Sequence, residues 1–206
     1  MIQQDLFSTP LWIEDYSQKY PDLNQMLIKD GENYSLQSRK QTFPDYRDPL
    51  FNYSFLEFPG YGTQILKKLV LETIEEIAKS RDWPTHTVTM RSLQNFIHPN
   101  QCDSPHHHPD CDLTGVYYVK VPERSGDILL HETRGSIKAI WQDPKVKNDD
   151  NGKSGRVFYR FSPDEGKLIL FPNYLYHSVE TNLSDDSRIS IVMNIRINID
   201  EQYGTY

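Results

Sequence analysis

Residues 157–173 read VFYRFSPDEGKLILFPN, two short aromatic and β-branched runs on either side of a Pro-Asp-Glu-Gly turn. Neither run is long enough for a helix, and the turn between them is short, so the segment reads as two strands. The same grammar extends in both directions. Upstream lie VTMRSLQNFI (88–97), GVYYVKV (115–121) and DILLHE (127–132), punctuated by HPNQCDSP and PERSG. Downstream, RISIVMNIRI (188–197) follows the turn NLSDDS. Several short strands without intervening helices predict a sandwich or barrel, a jelly roll among the candidates.

The first ninety residues differ. In TQILKKLVLETIEEIAKSRDW (63–83), Ile65, Leu66, Leu69, Val70, Thr73, Ile74 and Ile77 recur at helical spacing, with Lys and Glu opposite. Gly60 and Gly62 precede this helix and Pro84 limits it. A shorter helix is expected near residues 23–28, and the rest of this half reads as loop. The expectation is one domain over 1–206, with a helical N-terminal layer (about 1–87) packed on a β core (about 88–200). Residues 142–156, QDPKVKNDDNGKSGR, read as a long surface loop and a candidate lid.

With 206 residues and 12% aromatics, the chain can bury a core without disulfides or structural metal. A net charge of −7 argues against sequence-independent nucleic-acid binding, which needs Lys and Arg to displace counterions. No run of eighteen apolar residues occurs, and MIQQDLFSTPLW lacks the features of a secretory leader. The expected compartment is the cytoplasm, with Cys102 and Cys111 as free thiols and a short-loop disulfide between them as the alternative.

Chemistry concentrates in SPHHHPDCD (104–112). If residues 105–109 are extended, His106 and His108 point one way and His107 the other. Two imidazoles one residue apart on one face suit a shared metal ion, and Asp110 would join them if the strand continued past Pro109. The best third ligand is His177, just beyond the apolar run LILFP in FPNYLYHSVE. Imidazole and carboxylate ligands with open positions are the pattern of non-haem Fe(II) oxygenases, although zinc and copper also accept imidazole. A surface His-rich loop without metal is the competing reading. His86, His98 and His131 are read as structural or as supports behind the ligands.

Taken in order, H106-H-H-P109, T114-G-V-Y-Y-V119, S125-G126, F171-P-N-Y-L-Y-H177 and R188-I-S-I191 resemble the 2-oxoglutarate/Fe(II) dioxygenases. They are closest to a branch written HxHP, SGVYYL, SG, FPxxLxH, RISI, and LFSTPLW resembles its opening. The resemblance implies a mainly β fold with α, a double-stranded β-helix (jelly roll, cupin-like) whose mouth holds iron. It implies Fe(2+) at His106, His108 and His177, with 2-oxoglutarate as co-substrate. In prolyl-hydroxylase-like relatives the second tyrosine of the Tyr-Tyr strand and a basic residue on the last strand hold that co-substrate. By motif position these are Tyr118 and Arg188, and Ser190 completes an Arg-x-Ser pattern. No catalytic side chain beyond the metal site is implied.

Two departures stand out. The wider superfamily places a carboxylate where the HxHP register places His108, and the register His108-Pro-Asp110 would restore His-x-Asp. Arg134, in HETRG, lies where Asp-Pro-Arg is usual. The expected function is dioxygenase or hydroxylase chemistry on a small molecule or protein side chain, consuming dioxygen. The alternatives are a three-histidine, cupin-like metalloenzyme that does not use 2-oxoglutarate, and a non-enzymatic jelly-roll binding module. Neither substrate nor oligomeric state is legible.

Overall fold

In a computed structural model of the chain, residues 8–40, 54–132, 154–155 and 158–199 are described. The strands are β1 (Trp12–Asp15), β2 (His86–Ile97), β3 (Asp103–His106), β4 (Leu113–Lys120), β5 (Ile128–His131), β6 (Ser154–Gly155), β7 (Phe158–Phe161), β8 (Lys167–Pro172), β9 (His177–Val179) and β10 (Arg188–Ile199). The helices are α1 (Leu23–Lys40) and α2 (Tyr61–Ser80), with a 3-10 turn at Phe55–Glu57. Two antiparallel five-stranded sheets form, ordered β1-β8-β4-β10-β2 and β3-β9-β5-β7-β6. This is the expected mainly β architecture with helices packed on it.

Strand alternation explains how one sheet serves two cores. On β4, Leu113, Tyr117 and Val119 join Leu168, Leu170, Ile191, Met193 and Ile195 against the helices. Val116 and Tyr118 point the other way, with Ile169 and Phe171, to meet Ile128, Leu130 and Phe161 of the second sheet. Strand β4 is therefore buried on both faces, and β10 pairs with β2 along its whole length. The space between the sheets is where β4 and β10 deliver their polar side chains.

The N-terminal half departs from expectation in three respects. Helix α1 runs for 18 residues, not six. Its buried face is Leu23, Leu27, Asp30 and Gly31, an i, i+4, i+7, i+8 stripe in which a polar residue and a glycine hold core positions and hide the period. Helix α2 begins at Tyr61, so Gly62 lies within its first turn, where an added Cβ would stand 2.8 Å from the Leu27 backbone nitrogen. The N-terminal layer also contributes strand β1, paired with β8. In the β half, the expected loop 98–105 gives its last residues to β3. Of the proposed lid at 142–156, only Ser154 and Gly155 are described, as β6; its other residues and Arg134 lie outside the described residues.

Asp30 explains how α2 starts without a capping side chain of its own. The N-cap is Gly60, and the buried Asp30 carboxylate of α1 accepts the Thr63 backbone N–H at 2.9 Å. A carboxylate at a helix N-terminus satisfies an otherwise orphaned donor and meets the positive end of the dipole. Asp30→Ala is expected to destabilise the fold by about 1–2 kcal/mol, read as a lower denaturant midpoint with unchanged slope.

Candidate metal centre

The imidazoles of His106, His108 and His177 meet at one end of the space between the sheets, with one ring nitrogen from each within 4.8 Å of the others. Two elements bring them there. His106 is the last residue of β3 and the Cα partner of His177, the first residue of β9. His108 lies beyond the strand, its backbone N–H bonded to the Asn173 carbonyl at 3.2 Å. The His107 ring packs instead on Tyr176, at 4.7 Å between centroids. Asp110 is not in the group.

Hydrogen bonding fixes which nitrogens face inward. His177 Nδ1 lies 3.0 Å from the Leu175 carbonyl and His106 Nδ1 lies 2.7 Å from that of Ser104. A carbonyl can only accept, so each Nδ1 carries the proton and each Nε2 presents a lone pair. His177 Nε2 and His108 Nε2 are 3.3 Å apart. Two nitrogens each about 2.1 Å from one ion, at roughly 90–110°, would stand about 3.0–3.4 Å apart. Asn194 stands against the His108 ring. These rings fit a shared divalent ion.

Burial first, and the neighbouring imidazoles second, hold His108 down to about 4; burial likewise brings His177 to about 4, against the backbone bond to Leu175. The metal-free protein therefore loses stability as pH falls from about 6.5 through about 4, because the unfolded chain takes up two protons that the folded site resists. The sign is positive with rising pH across that window. Urea denaturation at pH 7 and pH 5 should show a loss that shrinks in His108→Gln.

Deeper between the sheets, Arg188 is 1% exposed. Its Nη1 donates to the Gly126 carbonyl at 2.9 Å, and its guanidinium stands 5.2 Å from the Tyr118 ring centroid. Arg188 Nε and the Tyr118 hydroxyl are both buried without a hydrogen-bond partner. A buried cation beside an unsatisfied hydroxyl is costly unless an anion completes the set, and a carboxylate matches both. Arg188 does not pair with the turn acids before it; Lys120 takes Asp186, at 2.5 Å. Ser190, also buried, faces Tyr118 on one side and Asn95 on the other as Cα partner.

Gly126 holds this arrangement. Its φ of +88° suits glycine, and an added Cβ would stand 2.4 Å from the Glu180 carbonyl oxygen. Gly126→Ala is expected to lower stability by roughly 1–3 kcal/mol and to loosen Arg188, measured as a denaturant midpoint and a weaker co-substrate affinity.

Sequence reasoning did not assign Asn194 or the Gly126 carbonyl. Asn194, like Asn95, stands out in the sequence as a polar residue able to point into the barrel, without a role attached to it. The carbonyl contact spans 62 residues and leaves no mark in side-chain chemistry. His131 bonds Ser178 at 2.8 Å, His98 bonds Ser187 at 2.7 Å, and His86 bonds the Pro84 carbonyl at 2.8 Å; none belongs to the three-histidine group, although His131 is near enough to His177 to disfavour its charge.

Residues 91–194, half of the chain, match the family model described as "Putative 2OG-Fe(II) oxygenase". The chain belongs to this 2OG-Fe(II) oxygenase family. The family's co-substrate and metal are 2-oxoglutarate and Fe(2+), which fit the paired subsites above. No curated protein matches the chain. Among solved structures, this oxygenase-family chain is similar to a Pseudomonas putida prolyl-4-hydroxylase, at 10% identity, 92% of this chain, 88% of that one and a TM-score of 0.58. It is similar to AviO1 from Streptomyces viridochromogenes, at 14% identity, 85% of each chain and a TM-score of 0.53. A Burkholderia pseudomallei oxidoreductase of the 2OG-Fe(II) oxygenase family overlaps less, at 16% identity and a TM-score of 0.46, and the chain spans 58% of its length. The first two likenesses place the fold in the oxygenase jelly roll.

Proposed function

We propose that the protein is a 2-oxoglutarate-dependent dioxygenase acting as a hydroxylase, folded as one domain over residues 1–206. Family membership supports the reaction class, and the observation that carries the site assignment is the pairing of two subsites. One is three converging imidazole lone pairs; the other is a buried Arg188–Tyr118 pair with unsatisfied donors. When bound, Fe(2+) supplies the oxidising chemistry: 2-oxoglutarate, dioxygen and substrate R–H become succinate, carbon dioxide and R–OH.

The chain's own residues bind and orient. His106, His108 and His177 would hold the metal on one side and leave its other positions open. Arg188 would take the distal carboxylate of the co-substrate through Nε, while Gly126 fixes Nη1, and the Tyr118 hydroxyl would donate to the same carboxylate. Ser190 would complete the floor beside Tyr118. Ile169, Phe171 and Val116 line the apolar wall nearby and exclude water.

The substrate is a small molecule or a protein side chain. The proposed compartment is the cytoplasm, supported by two free cysteines, one of them buried. No helix among the described residues is long and apolar enough to cross a membrane.

A second reading, a three-histidine metalloenzyme that does not use 2-oxoglutarate, draws on the all-imidazole ligand set. Anaerobic titration with Fe(II) and then 2-oxoglutarate separates the two. A visible charge-transfer band that requires both supports the dioxygenase; stoichiometric iron binding without the band supports the second reading.

A further inference from the structure

Four residues lie side by side across the inner face of the larger sheet, beneath the metal centre. Arg91 on β2 is the Cα partner of Asn194 on β10, Asn194 of Thr114 on β4, and Thr114 of Phe171 on β8. Directly paired residues share a face, with strands about 4.8 Å apart. The row is anchored to the site at two points: the Phe171 ring packs on His177 at 5.0 Å, and Asn194 stands against His108. Its far end is Arg91, exposed at the open side of the sheet and with no ion pair or hydrogen bond among the described residues.

Two further observations mark this row as a binding surface rather than a solvated edge. Thr114 is fully buried, and although its hydroxyl lies against the Cys111 thiol and Asn194 against the His108 ring, neither Thr114 Oγ1 nor Asn194 Oδ1 has a partner at full hydrogen-bond geometry. Buried polar atoms left open beside a centre that must admit substrate are candidates to contact it. The second observation is charge. The inward positions from Thr89 to Asn95, Thr114 to Tyr118, Ile169 to Phe171 and Ser190 to Arg196 include no Asp or Glu, in a chain of net charge −7. Their only charged members are Arg91 and Arg196, and Arg196 already reaches the metal-binding segment, donating from Nη2 to the Asp110 carbonyl at 3.0 Å. Asp103, from the facing sheet, is engaged by Asn95 at 3.0 Å.

We infer that Arg91, with Arg196 beside it, forms an oxyanion subsite at the mouth of the metal centre, so that the substrate carries a carboxylate or phosphate group. A guanidinium with no partner among the described residues, on a sheet face that carries no acid of its own, attracts such a group and can bind it bidentately. Thr114 and Asn194 would then contact polar atoms nearer the reacting carbon. This deepens the hydroxylase reading and rests on it for the identity of the mouth, whereas the anion subsite itself can be measured without iron or turnover.

The test is titration of the 2-oxoglutarate-saturated protein, where Arg188 is engaged, with inorganic phosphate and separately with acetate, chloride serving as the ionic-strength control. The readout is the arginine side-chain Nε–Hε NMR signals of Arg91 and Arg196. Saturable shifts with phosphate or acetate, weakened about tenfold in Arg91→Gln as read at Arg196, are expected. Preference for phosphate assigns a phosphate-bearing substrate; preference for acetate assigns a carboxylate. Shifts that track chloride overturn the subsite. So does saturation that survives Arg91→Gln but disappears in Arg188→Ala, which would put the anion in the co-substrate pocket. If the wild-type protein fails to bind 2-oxoglutarate, the hydroxylase reading fails, and the same titration without 2-oxoglutarate still decides the anion subsite.

Discussion

Arg188→Ala is expected to raise the 2-oxoglutarate concentration for half-saturation by roughly a hundredfold or more, with iron content unchanged. Hydrogen bonds to charged groups contribute about 1.5–3 kcal/mol each, and about 1.4 kcal/mol corresponds to a factor of ten. The side chain is 1% exposed, so the interaction with the distal carboxylate is not diluted by solvent. The wild-type protein has already met the cost of burying the guanidinium. Its Nη1 rests on the Gly126 carbonyl, its face lies over Tyr118, and Nε remains open for the ligand. Alanine removes the charge and leaves the Tyr118 hydroxyl as the lone donor. Arg188→Lys keeps the charge but loses the planar fork, so it should recover only part of the affinity. Tyr118→Phe should cost less than Arg188→Ala, because a neutral donor contributes less than a charged one. Isothermal titration of 2-oxoglutarate into protein loaded with a redox-inert divalent metal gives the affinities. Wild-type affinity in Arg188→Ala would remove Arg188 from the co-substrate pocket.

Much of this site could be read from residues alone, because its parts lie on strands with strict alternation. Tyr117 and Tyr118 were separable once β4 was recognised as a strand: Tyr117 turns to the helices and reaches Asn24 at 2.7 Å, and Tyr118 turns inward. The same alternation suggested that His106 and His108 share a face. Their convergence has a different basis, since β3 stops at His106 and His108 is set by a backbone bond to Asn173. The parts that could not be read depend on long-range backbone geometry. A carbonyl at Gly126 is invisible in a sequence, although the Ser-Gly pair there marks the turn. The length of helix α1 is hidden because Asp30 and Gly31 sit where a periodic pattern would place apolar residues; Asp30 is buried at the start of α2 and Gly31 against Gln94 of β2, both distant in sequence. Nothing in the sequence marks Arg91; only the β2–β10 register sets it beside Asn194.

The largest effect on metal binding is expected from His177→Ala. Its ring is 4% exposed and lies against His106, His108 and Phe171, with centroid separations of 4.4, 5.1 and 5.0 Å. Its Nδ1 is fixed on the Leu175 carbonyl, so Nε2 is already oriented and little entropy is lost when it binds. Loss of an outer-shell partner of a metal ligand weakens metal binding about 10–100-fold, and loss of a ligand itself should exceed that range. Iron added anaerobically should therefore remain bound to wild-type protein through gel filtration and be lost from the variant. Because metal binds the folded state selectively, saturating metal should also raise the melting temperature of wild-type protein and leave that of His177→Ala nearly unchanged. His107→Ala is the matched control: it removes an adjacent imidazole whose ring packs on Tyr176, and should retain wild-type iron binding. Asp110→Ala discriminates between the two registers of the histidine segment. Retention of iron in Asp110→Ala together with its loss in His106→Ala assigns the ligands to three imidazoles, and the reverse pattern assigns the second position to the carboxylate. An all-imidazole set adds no negative charge to the ion, so more of its charge is left for the incoming anions. That makes the metal's hold on 2-oxoglutarate less dependent on Arg188 than in a site with a carboxylate ligand, and the residual affinity of Arg188→Ala measures that difference.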